Sequence, residues 1–234
     1  MRSAVYTGTR NLYDEMEASA KSLLFHTRIE RVYFLIEDDE FPRPLPDRIQ
    51  VMNVSGQTFF TPDGPNFNSP WTYMVLIRAA FTKILPDDVV LSIDCDAFVE
   101  DDISELWGID MSRYYLAAVP EPRKAGKPRP YINFGVCMMN LAKLRRDGID
   151  DKAIRFLNTQ FTFANEQDAL NDLCYGSVLT LPSVYNACAY TKPCANPKIV
   201  HFAGVGEAFP WSRERWQEKP IVRKWKATLW EGIL

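Results

Sequence analysis

Residues 89–100 read VVLSIDCDAFVE, an apolar, β-branched run that ends in two carboxylates one residue apart. Val89, Val90, Leu91 and Ile93 suit a strand buried on both faces. Asp94 and Asp96 then stand at its carboxyl end, where like charges repel unless something positive lies between them. In an extended backbone residues i and i+2 point to the same side, so both carboxylates aim at one point. A hard divalent cation there removes the repulsion, and carboxylate oxygens suit Mg2+ or Mn2+. A plain turn is the competing reading, because Asp is common where strands end.

The segments around this strand alternate between strand and helix. SAVYTGT (3–9), RVYFLIE (31–37) and RIQVMNV (48–54) are rich in β-branched and aromatic residues, as strands are. YDEMEASAKSLLFH (13–26) predicts a helix with Met16, Ala20, Leu23 and Leu24 on one face. SPWTYMVLIRAAFTKIL (69–85) predicts a second, with Ser69 as its cap and Pro70 in its first turn. Further on, YYLAAV (114–119), INFGVCMMN (132–140) and KIVHFAG (198–204) read as strands, and 141–158 and 164–174 as helices. Strand-helix-strand order predicts an α/β class with parallel strand pairs. In such sheets ligands collect at the carboxyl ends of the strands.

The chain has 234 residues, 47% of them hydrophobic, enough for one sizeable core. A single compact domain over 1–234 is expected. Residues 1–100 form its nucleotide-binding half, and 101–234 its acceptor-side half with a C-terminal helix. The net charge of -3 argues against nucleic acid as the main partner. No apolar run is long enough to span a membrane, and MRSAVYTGTR does not read as a signal peptide. An odd count of five cysteines without a secretion signal suggests reduced thiols and a cytoplasmic setting. With His26 and His201 the only histidines, a structural zinc site is not expected.

Two further residues bear on the carboxylate pair. Arg78 falls on the apolar stripe Trp71, Met74, Phe81, Leu85, and a guanidinium kept on an inward face needs an anionic partner. A structural ion pair would satisfy it equally. His201 follows an apolar strand. It is a core histidine by default, yet imidazole is a good Mn2+ ligand, and Gly204 lets backbone N–H groups approach a phosphate.

In order along the chain, YTGTRNLY (6–13), Arg78, DCD (94–96), NFGV (133–136), NEQDALN (165–171), HFAG (201–204) and PW (210–211) resemble the landmarks of family 8 glycosyltransferases. That retaining group includes glycogenin and bacterial lipooligosaccharide galactosyltransferases. The resemblance implies a GT-A fold, a Rossmann-like mixed sheet flanked by helices. It also implies transfer of a hexose from a UDP-sugar to an acceptor with retention at the anomeric carbon. It implies that Asp94, Asp96 and His201 hold Mn2+ or Mg2+. Thr7, Asn11 and Tyr13 are expected near the nucleoside, Cys95 within the donor site, and Gly204 near the phosphates. Asn133, Glu166 and Gln167 are expected to face the sugar. Glu166, Gln167 and Arg78 become the catalytic candidates.

Three departures stand out. VGEAFPW lacks the Lys that usually follows the histidine, with Phe209 beside the proline; Arg213 and Arg215 are the nearby substitutes. Glu166 replaces an Asp, and Phe134 a small residue. The missing Lys keeps open a non-catalytic sugar-nucleotide-binding protein. GTR (8–10) weakly suggests a nucleotidyltransferase, and a DxD phosphatase lacks the expected residues after Asp96. The basic loop PEPRKAGKPRP (120–130) reads as solvated, or as an acceptor contact. Ile221, Val222, Trp225 and Leu229 make an amphipathic tail helix, docked on the core or lying peripherally on a membrane surface.

Overall fold

The computed structural model describes residues 1–69, 71–122, 130–203 and 218–233. The strands are β1 (Ser3–Thr7), β2 (Arg31–Ile36), β3 (Ile49–Asn53), β4 (Val89–Ile93), β5 (Ala97–Val99), β6 (Leu116–Pro120), β7 (Ile132–Asn140), β8 (Val178–Thr180) and β9 (Ile199–His201). Seven form one mixed sheet in the order β3-β2-β1-β4-β7-β6-β8. The expected parallel pairs are present between β1 and β2, β2 and β3, and β1 and β4. β7 runs antiparallel to both β4 and β6. β5 and β9 form a separate antiparallel ribbon.

Alternation along each strand sends side chains into two cores. From β1 and β4, Ala4, Tyr6, Leu91 and Ile93 pack on one side with helix α1 (Tyr13–His26). The four α1 residues expected to share a face, Met16, Ala20, Leu23 and Leu24, all lie in that cluster. Val5 and Val90 face the other side. There they meet α2 (Phe81–Ile84), α3 (Leu141–Arg146), α4 (Ile149–Thr159) and α5 (Asn165–Leu173) through Phe81, Leu144, Leu157 and Leu170. Coverage of both faces explains why β1, β2 and β4 read as nearly unbroken apolar runs.

The helix expected over 69–85 differs. A 3-10 helix, Tyr73–Ala80, leads into the short α2. Its cap is Thr72, whose hydroxyl accepts from the Met74 N–H at 3.2 Å. Ser69 is engaged elsewhere, accepting from the Asn165 side chain at 3.1 Å, and Pro70 lies outside the described residues. Thr72 has φ 63 and ψ 172, a costly conformation for a β-branched residue. The helical stretch expected over 141–158 is two helices, broken at Gly148 with φ 64. At the C-terminal end α6 (Pro220–Ala227) docks on α1: Val222 and Trp225 are buried, while Leu229 is exposed. Among the described residues no helix is long and apolar enough to cross a membrane.

One buried side chain fixes the approach to α5. The Asn66 Nδ2 donates to the Leu157 and Gln160 carbonyls at 2.7 and 2.8 Å. Its Oδ1 accepts from the Thr162 N–H and hydroxyl at 2.9 and 3.0 Å. Asn66→Ala strands these groups in the interior. It is expected to lower unfolding free energy by about 2–3 kcal/mol, read as a reduced urea midpoint at unchanged slope.

Candidate functional site

β1 and β4 are neighbours in the sheet although the chain leaves them in opposite directions along it, and a crevice opens at their carboxyl ends. Asp94 stands there. Its N–H donates to the Gly135 carbonyl at 2.8 Å, and its own carbonyl accepts from the Ala97 N–H at 3.0 Å. Residues 94–97 are therefore a turn, and the carboxylates converge because the chain bends, not because it alternates in an extended run. The turn leads into β5, which pairs with β9 so that Ala97 faces His201. The Phe202 N–H donates to the Asp96 carbonyl at 3.0 Å.

That pairing places His201 Nε2 3.3 Å from Asp96 and 3.7 Å from Asp94. Ligand atoms of Asp94, Asp96 and His201 all lie within 4.8 Å of one another. Two carboxylates and one imidazole on such a span match the donor chemistry of Mn2+ or Mg2+. Gly135 makes room for the ring, since a Cβ there would lie 1.9 Å from His201 Cε1. Burial alone pulls the imidazole down, but the Asp96 charge and hydrogen bond hold it well above its ordinary value.

Arg78 has the anionic partners its inward position required. Its guanidinium bridges Asp94 and Glu166, with Glu166 at 3.0 Å, and donates to the Phe134 carbonyl at 3.1 Å. Glu166 is 4% exposed. Burial pushes its carboxyl up, to about 7, and Asp94 adds to this, while Arg78 pulls it down. Its folded value lies above the ordinary 4.5. Between the two the native state binds the extra proton, so this group's stabilisation falls as pH rises and is flat above the folded value. Glu166→Gln is expected to remove that slope. Measured by urea midpoints between about pH 5 and about pH 7.5, the variant should lose less stability than the wild type.

The cleft beside these groups has two ends. Thr7, Asn11, Cys95, Asp96 and His201 line one, and Glu121, Tyr131, Asn133, Glu166 and Gln167 the other. Arg78, Asp94, Trp71 and Tyr190 belong to both. The Cys95 thiol donates to the Thr7 carbonyl at 3.3 Å, fastening the DCD turn to β1. Gln167 ties α5 to β7: its Oε1 accepts from the Phe134 N–H at 2.9 Å and its Nε2 donates to the Tyr131 hydroxyl at 3.0 Å. Phe134 itself is buried and lines the end that holds Glu166 and Gln167.

Tyr13 is placed elsewhere. It is buried against Phe41, and its hydroxyl donates to Asp38 at 2.9 Å, away from both ends of the cleft. Gly204, Phe209, Arg213 and Arg215 lie outside the described residues, as does most of the basic loop (123–129). Three residues lining the cleft escaped the sequence: Glu121 sits at the head of the basic loop, and Trp71 and Tyr190 looked like ordinary aromatics.

The model of glycosyl transferase family 8 matches residues 5–215. General stress protein A of Bacillus subtilis is 29% identical over 174 residues, covering 58% of this chain and 60% of that protein. Glycosyltransferase GlyF of Streptococcus pneumoniae is 26% identical over 241 residues, covering 91% of this chain and 58% of its own length. The chain thus spans less than two thirds of these relatives. The structure of GlyE from Streptococcus pneumoniae superimposes with TM-score 0.73 at 20% identity, over 100% of this chain and 63% of that one. Galactosyltransferase LgtC, solved in complex with donor and acceptor sugar analogs, gives TM-score 0.69 at 22% identity over 99% and 100%. At such identities the two structures establish a shared GT-A-like fold. With the family model matching nearly the whole length, the chain belongs to glycosyl transferase family 8.

Proposed function

We propose that the protein transfers a hexose from a UDP-sugar to an acceptor hydroxyl, with retention at the anomeric carbon and dependence on Mn2+ or Mg2+. The observation that carries this reading is a single cleft with the Asp94, Asp96 and His201 cluster at one end and buried carboxylate and amide groups at the other. Thr7, Asn11 and Cys95 line the end assigned to the nucleoside. Asn133, Glu166 and Gln167 line the end assigned to the sugar. Asp94, Asp96 and His201 are assigned to the cation, which when bound supplies Lewis-acid neutralisation of a departing diphosphate.

Arg78 serves the reaction by holding Asp94 and Glu166 in fixed positions without itself leaving the interior. Glu166 is the group assigned to face the positive charge that grows at the anomeric carbon as the sugar bond breaks. Gln167, with both ends of its amide engaged, positions β7 under the sugar.

A thermal-shift panel of nucleotide sugars with and without Mn2+ tests the reading, because a bound donor stabilises the native state. UDP-sugars are expected to raise the melting temperature only with the ion, and the same mixtures to release UDP. Stabilisation with no turnover by any donor or acceptor would favour a binding protein instead. No response to any nucleotide sugar would sink the proposal.

A further inference from the structure

Glu121, Asn133 and Asn186 form a hydrogen-bonded line from the sugar end of the cleft to the imidazole of His201. We propose that this line keeps the proton on His201 Nδ1, so that Nε2 is the nitrogen offered to an ion between Asp94 and Asp96. Its use rests on the ion site assigned above.

The direction of each bond is forced. Asn133 Nδ2 donates to the Glu121 carboxylate at 2.8 Å. The Gly135 N–H, which only donates, meets Asn133 Oδ1 at 3.0 Å. Two neighbours thus orient the same amide. Asn133 Oδ1 then also accepts from Asn186 Nδ2 at 2.8 Å, which leaves Asn186 Oδ1 for His201 Nδ1 at 2.9 Å. A carbonyl oxygen only accepts, so Nδ1 carries the proton. Nε2 is then the nitrogen left to meet an ion, and it is the one that lies toward the two aspartates; with no ion bound it carries a second proton, donated to Asp96 at 3.3 Å.

Asn186 is fully buried and does not line the cleft, so it is a positioning residue. Its backbone is anchored too: its N–H donates to Ser183 at 3.1 Å and its carbonyl accepts from the Thr191 hydroxyl at 2.8 Å. Partners of this kind fix which nitrogen of a ligating histidine meets the ion. Here the line starts at Glu121, a carboxylate in the sugar end of the cleft.

Nitrogen-15 correlation spectra of the ring, taken with excess Mg2+, which does not broaden them, decide the matter without a variant. The Nδ1–H form is expected in the wild type, and the Nε2–H form would overturn the proposal. Asn186→Leu removes the acceptor at similar volume. It is expected to shift the ring toward Nε2–H and to weaken Mn2+ binding, followed by EPR, by about 10- to 100-fold. Asn133→Leu, which leaves Asn186 unguided, should give a mixture of the two ring forms. Unchanged ring form and unchanged Mn2+ affinity in a folded variant would overturn the role. A wild type that shows Nδ1–H yet binds no Mn2+ supports the tautomer assignment and sinks the ion assignment, which tells the two failures apart.

Discussion

Asp96→Asn is expected to cut turnover by roughly 10^3-fold or more in a variant that still folds, seen as a single cooperative urea transition. The side chain keeps its size, so the turn is not disturbed. The backbone bond from the Phe202 N–H to the Asp96 carbonyl does not involve the carboxylate and persists. What is lost is one of the negative charges assigned to the divalent ion, on a carboxylate 3.3 Å from His201 Nε2. Mn2+ titration checks the cause, because the variant should need far more ion for any residual rate. Asp94→Asn is a less clean test, since Asp94 also pairs with the buried Arg78. Wild-type turnover in Asp96→Asn would contradict the assignment of the cluster.

Gly135→Ala is expected to have the next largest effect, and through shape, not charge. The added methyl carbon would stand 1.9 Å from Cε1 and 2.3 Å from Nδ1 of His201. The ring cannot retreat easily, because it is buried and held by Asn186 at 2.9 Å. The backbone cannot yield easily either, because the Gly135 carbonyl accepts from Asp94 in the middle of the sheet. Overpacking of this kind costs about 1–3 kcal/mol of stability. Activity should fall as with loss of the imidazole. A second change identifies the clash: Gly135→Ala combined with His201→Ala should recover much of the stability, with a coupling of about 1–3 kcal/mol in the cycle. Strictly additive losses in urea would show that the methyl collides with something else.

The order of strands and helices was legible because apolar periodicity survives in the sequence wherever both faces of an element are covered. β7 matches its expected limits, Ile132–Asn140, since every one of its residues is buried. The 69–85 segment misled because Ser-Pro is a strong local start signal, whereas the cap that forms depends on Ser69 being drawn off by Asn165, almost a hundred positions away. β5 and β8 are three residues long, too short to show a period.

The site divides the same way. Asp94 and Asp96 were visible as a local pair, and Arg78 as a charge on an apolar stripe. Glu121 and Asn186 have no local signature, because their importance comes from contacts with Asn133 and His201 that only the closed fold supplies. Tyr13 looked like a nucleoside contact by its place in YTGTRNLY, yet the first turn of α1 rotates it into the core beside Phe41.

The β5–β9 ribbon has a consequence for how the molecule comes apart. It is three residues a side, and the long seven-stranded sheet does not include it. If the proposed ion is held by Asp94, Asp96 and His201, it rivets the middle of the chain to its last third, and the binding equilibrium and the fraying equilibrium become one. Sequestering that ion is expected to loosen β9 first, and a protease should cut near it while the seven-stranded sheet still stands.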